Sequence, residues 1–165
     1  MTTTEQMRRD LLVDGARSVI EASVEELWGL HTLRGRFDRF VGAYTTGPDG
    51  PHIDVTIDAS SVDTGNAARD ALIRSEGFLD AELHPHVRFT STSVVPRGDG
   101  TARIEGELEA AGKTAPVAFD ATLRAAGGEI VLEVSTQVDI GRLGARGPLG
   151  AIGSTATVHV KLVFA

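Results

Sequence analysis

The feature that most constrains this chain is strict alternation of apolar and polar side chains, repeated in short runs along most of its length. Ile53, Val55 and Ile57 alternate with Asp54, Thr56 and Asp58. Val117, Phe119, Ala121 and Leu123 repeat the pattern, as do Ile130, Leu132 and Val134. Near the C-terminus Val158, Val160, Leu162 and Phe164 face one way, with His159, Lys161 and Val163 opposite. A period of two means strands with one buried and one wet face, the antiparallel pattern.

Turn signals bound these runs. Gly47-Pro48-Asp49-Gly50, Arg97-Gly98-Asp99-Gly100, Gly112-Lys113 and Gly127-Gly128 each sit between two alternating segments. Glycine and Asx residues supply the backbone conformations that tight hairpins need, so a meander is expected. The tripeptide Arg97-Gly98-Asp99 is accounted for as a hairpin tip. The runs predict eight strands, over roughly 12–26, 30–46, 51–59, 84–95, 102–111, 114–126, 129–139 and 154–165. Closing such a sheet into a barrel removes its exposed edges, and eight strands suffice to enclose one small ligand. A β-sandwich satisfies the same periodicity and stays open at this point.

One segment departs from the rhythm. Asp63-Thr64-Gly65-Asn66 offers cap residues, and Ala67 to Arg74 reads as a short helix with Ala68, Leu72 and Ile73 toward the core. It is placed across one mouth of the barrel. The stretch Gly141 to Gly153, rich in glycine, reads as a long loop at a mouth, and residues 1–8 as a polar, frayed tail preceding one domain over 9–165.

Composition narrows the function. Sixteen basic against 23 acidic residues give a net charge of −7, and no basic stripe interleaved with aromatics is present. Nucleic acid is therefore not an expected partner. The absence of cysteine rules out disulfides and thiolate metal sites. No 18-residue apolar run predicts a membrane span, and no signal segment is legible near the start, so a cytoplasmic location is expected.

The segments Ser18-Val19-Ile20, Leu33-Arg34-Gly35-Arg36-Phe37, Gly42, Ser60-Ser61-Val62-Asp63-Thr64-Gly65, Arg69-Asp70, Phe78-Leu79-Asp80, His84-Pro85-His86-Val87-Arg88-Phe89 and Gly106-Glu107-Leu108 stand in a specific order and spacing. So do the hairpin Gly112-Lys113-Thr114-Ala115-Pro116-Val117 and the late set Ile140, Arg142 and Gly144. This ordered set resembles the YceI-like family over residues 14–165. The resemblance implies a lipocalin-like extended barrel with a helix near one end, holding a polyisoprenoid or similar long amphiphile. Relatives of this kind often pair as homodimers. The chain departs from the family's usual pattern on the first strand, where Arg17, Ala22 and Glu26 replace a histidine, an aromatic and a histidine.

The expected function is accordingly binding, sequestration or transport of an isoprenoid, quinone-like or acyl lipid, with no catalysis and no cofactor. Candidate lumen residues are Leu33, Phe37, Ile53, Val55, Ile57, Phe89, Leu108, Val117, Phe119 and Leu132, with Leu72 and Phe78 as a lid. Side chains that simply fill the barrel would produce the same pattern. Arg69, Arg74 and Arg142 are candidates to meet an anionic headgroup, with ion pairing inside the fold as the alternative.

Two rival readings remain. An enzyme acting on a small apolar compound in the same pocket requires polar groups such as His84, His86, Asp63 or Arg69 to converge inside it. His84 and His86, two apart on a presumed strand, share a face, but no third metal ligand is evident nearby, so no metal site is expected. Asp63, Asp70 and Asp80 read as helix and turn caps. No Gly-x-Ser-x-Gly elbow is present. The other rival is a stress-related interaction module, for which Trp28 and Leu30 supply the candidate surface patch.

Overall fold

The computed structural model describes residues 9–26, 31–143 and 152–165. The expected tail over 1–8 and the Trp28–Leu30 patch lie outside these. Among the described residues the fold is one curled antiparallel sheet with one α-helix, so the layered sandwich is set aside. The strands are β1 (Arg9–Leu12), β2 (Val19–Glu26), β3 (His31–Phe37), β4 (Phe40–Gly47), β5 (Gly50–Asp58), β6 (Val62–Asp63), β7 (His86–Pro96), β8 (Thr101–Ala110), β9 (Lys113–Ala126), β10 (Glu129–Asp139) and β11 (Ile152–Phe164). The helix α1 spans Ala67–Arg74. Across the sheet the order is β1-β4-β5-β7-β8-β9-β10-β11-β2-β3-β6.

The described residues form eleven strands where eight are expected. The run 12–26 divides into β1 and β2 because a 3-10 turn over Gly15–Arg17 interrupts it, capped by the Asp14 carboxylate accepting from the Ala16 N–H at 3.1 Å. The run 30–46 divides at Asp38 and Arg39 into β3 and β4. The pairing divides with them, since β2 pairs with β3 while β1 pairs with β4. The two-residue β6, which carries no alternation to read, pairs with the end of β3. Of the expected loop Gly141–Gly153, the first residues belong to a 3-10 turn over Ile140–Leu143 and the last two begin β11, while 144–151 lie outside the described residues.

One end of the sheet order, at β1, approaches the C-terminal end of β11, which lies inside the order between β10 and β2. Val13 bridges Phe164, and Leu12 and Ala165 exchange backbone hydrogen bonds of 3.2 and 2.8 Å. Curling places one residue of every alternating pair inside. On β5 Ile53, Val55 and Ile57 are buried while Asp54 faces out and forms a two-pronged pair with Arg88 on β7. Phe164 and Ile104 are fully buried, and Tyr44 tilts against Phe164 at 5.8 Å between ring centroids. Gly127 and Gly128 turn β9 into β10 with φ of +60° and +82°, the left-handed region that a two-residue hairpin of this hand requires.

Asn66 caps α1, its side-chain oxygen accepting from the Arg69 N–H at 3.0 Å. The Asp70 carboxylate accepts from both the backbone N–H and the hydroxyl of Thr64, each at 2.7 Å, which fixes the helix to the end of β6. Of the three residues expected to face inward, only Ile73 does. Ala68 is exposed and Leu72 is 44% exposed, whereas Ile73 turns toward the interior.

Candidate functional site: a two-part apolar lumen

Among the described residues, two apolar cavities lie inside the curled sheet. One, of about 160 Å³, lies under α1 and the segment that follows it, and is bounded by Leu33, Phe37, Val62, Ile73, Phe78 and Leu79. Small residues complete its wall: Ala22, Gly35, Ala110, Ala111 and Ala156. The second, of about 130 Å³, lies deeper and is lined by aliphatic and aromatic side chains from β2, β5, β7, β8, β9, β10 and β11, together with Thr136 of β10. No charged side chain lines either cavity among the described residues.

The two lie end to end. β8 presents Leu108 to the deep cavity and Ala110 to the outer one. β11 does the same with Val158 and Ala156, and β2 with Ile20 and Ala22. Val138 at the end of β10 lines the deep cavity, and Ile140 just beyond it lines the outer one. Side chains two apart on a strand face the same way and are separated by about 6–7 Å, so the cavities are adjoining compartments of one lane. Beyond the deep compartment the lane stops at Tyr44, Val94, Ala102 and Phe164, all buried and lining neither cavity.

The expected lumen residues fall into both compartments. Leu33, Phe37 and Phe78 bound the outer one. Ile53, Val55, Ile57, Phe89, Leu108, Val117, Phe119 and Leu132 line the deep one, where the rings of Phe89 and Phe119 tilt against each other at 5.9 Å. Leu72 lines neither, and Ile73 occupies the place expected for it. Reading the sequence for large apolar side chains misses the alanines and glycines of the outer wall. Their signal is a small residue at an inward position of an alternating run, as at Ala22 and Ala156.

The candidate headgroup cations stand outside both cavities. Arg69 is exposed, the Arg74 guanidinium donates to the Ser60 carbonyl at 3.5 Å, and Arg142 lies 3.6 Å from Asp139. The polar groups that a reaction in the lumen requires do not converge there. His84 precedes β7 and packs over the hairpin at Gly112, while His86 begins β7, so the two do not share a strand face. Asp63 accepts from the Gly65 N–H at 2.8 Å, and the hydrogen bonds from Thr64 hold the Asp70 carboxyl below its usual range. Asp80 occupies a turn at φ +47°. Among the described residues no group of three metal-ligating side chains occurs. The tip at Arg97–Asp99 is held by Asp99 accepting from the Thr101 N–H at 3.0 Å and by Arg97 lying 3.2 Å from Asp120. No helix of the described residues is long and apolar enough to cross a membrane.

The curled antiparallel sheet around an apolar lane makes this an all-β protein with an apolar interior. The YceI-like domain family model matches residues 12–164, and the chain belongs to that family. It is 34% identical over 123 residues to a UPF0312 protein of Vibrio cholerae, covering 72% of this chain and 65% of that protein. A UPF0312 protein of Pectobacterium carotovorum is 40% identical over 113 residues, 67% of this chain and 58% of that one. The chain thus spans less than two thirds of the length of these relatives. Among solved structures, Burkholderia cenocepacia BcnA superposes with a TM-score of 0.82 at 20% identity, covering 92% of this chain and 98% of that one. A polyisoprenoid-binding domain from Saccharophagus degradans superposes with a TM-score of 0.75 at 14% identity, covering 96% and 97%. At these identities the two structures share the fold with this chain.

Proposed function

We propose that this protein binds the apolar chain of an amphiphile, such as an isoprenoid, a quinone-like compound or an acyl lipid, in its lumen, and sequesters or carries it without transforming it. The observation that carries this reading is the pair of adjoining compartments, walled by apolar side chains and left unfilled at a place where close packing is the norm. An unfilled apolar cavity forfeits contacts that a guest restores, at roughly 0.8 kcal/mol per buried methylene. Membership of the YceI-like family supports the reading, as does the likeness to a domain described as polyisoprenoid-binding. Among the described residues no titratable groups converge in the lumen, which supports a carrier over an enzyme.

Organic extraction of the purified protein followed by mass spectrometry tests the proposal. Recovery of a long-chain amphiphile in near-stoichiometric amount is the expected result. A protein that yields nothing on extraction, and takes up no added amphiphile, is not a carrier.

A further inference from the structure

Resting on the carrier reading, the geometry points to a limit on the guest: the lumen encloses about a dozen carbons of chain, and longer chains gain nothing inside it. Three observations converge. The compartments measure about 160 and about 130 Å³. An apolar cavity of about 150 Å³ holds one benzene, so each compartment accommodates about six carbons. The lane has a blocked far end, where Tyr44 and Phe164 pack ring against ring and Val94 and Ala102 are buried beside them. At the near end Ile73, Phe78 and Leu79 cover the outer compartment. A chain entering beneath α1 therefore fills the outer compartment, then the deep one, and then meets side chains.

The outer compartment exists because inward positions carry Ala22, Gly35, Ala110 and Ala156 rather than larger residues. Each is a site where an added side chain takes the space of guest carbons. Ala22 is the most tractable, being half-buried and on the strand opposite Gly35.

The test measures affinity for a series of linear primary alcohols from about eight to about eighteen carbons, by displacement of a fluorescent fatty probe. Affinity is expected to rise about fourfold per methylene up to about twelve carbons and to stay flat beyond. In the Ala22→Leu protein the break is expected about three carbons earlier. A wild-type affinity that keeps climbing through the longest alcohols overturns the length limit and leaves the carrier reading intact. Failure of every alcohol to bind overturns the carrier reading itself. The wild-type series decides the matter even if the variant does not fold.

Discussion

The Ser18 hydroxyl accepts the Val163 backbone N–H at 2.9 Å, across 145 residues of sequence. β2 pairs with β11 only as far as Val19 and Lys161, so the N–H of Val163 has no strand partner there. Ser18, itself buried, supplies the missing acceptor just where the chain breaks into its 3-10 turn. Replacement by alanine leaves a buried donor unsatisfied, and Ser18→Ala is expected to lose about 1–3 kcal/mol of stability. Urea denaturation checks this. A loss within error of zero means that the hydroxyl is replaceable by water.

Gly106 marks a second tight contact. A Cβ there would lie 2.4 Å from the Thr90 carbonyl oxygen and 2.7 Å from the Phe89 ring. The backbone oxygen cannot yield as a flexible side chain would. Gly106→Ala is therefore expected to destabilise by about 1–3 kcal/mol, and to lower guest affinity by driving Phe89 into the deep compartment. Gly47, where an added Cβ meets nothing within 4 Å, is the control. Gly47→Ala is expected to stay within about 0.5 kcal/mol of wild type, with unchanged affinity. Thermal melts and probe titration of both variants make the comparison.

The turn that divides β1 from β2 is tied to β10 by charge. Arg17 reaches Glu129 with hydrogen bonds of 2.7 and 3.1 Å and Asp14 with one of 2.8 Å. These bonds hold both carboxyls below their ordinary values of 4.5 and 3.8. A carboxylate with a depressed folded pKa adds stability above its unfolded pKa, and that contribution disappears as pH falls through the folded value. Melting temperature is thus expected to fall as the solution is acidified below about pH 4.5, and the step to shrink in Arg17→Gln. Because the groups are exposed, raised salt weakens the effect. A variant whose acid profile overlays that of wild type removes the pair from the account.

Adjacent residues of α1 separate packing from exposure. Leu72→Gln changes a side chain already 44% exposed, and is expected to alter stability by no more than about 0.5 kcal/mol and guest affinity not at all. Ile73→Gln places an amide against the outer compartment and is expected to weaken guest binding by about tenfold or more. Equal effects of the two substitutions on probe affinity would show that the helix does not cover the guest.

Much of this fold is legible in the alternation. The inward set Ile53, Val55, Ile57, Leu132 and Phe119 follows from period two alone, because a strand that switched faces would bury Asp54 or Thr56. The breaks are less visible. Asp14 to Ser18 reads as continuous with the strand that follows, and only the coincidence of a capping aspartate with a glycine marks the turn. The face of α1 is legible only at Ile73, because the eight residues Ala67–Arg74, with three alanines and three charged side chains, carry too weak an apolar stripe to fix a rotation. Leu33, Phe37 and Phe78 make one side of the outer compartment legible, but its small-residue wall is not. Hydrophobic patterning registers what fills space, whereas Ala22, Gly35, Ala110 and Ala156 act by leaving it.

The placement of β11 bears on how the protein is made. This strand, the last in chain order, sits between β10 and β2, and its far end receives Val13 and Asp14. During synthesis every other strand is available before it. Until β11 arrives, β10 and β2 present unpaired edges toward a common gap, and the oily inner surface is open along its length. The final segment is in this sense a keystone, and conditions that slow its insertion leave an intermediate prone to aggregate.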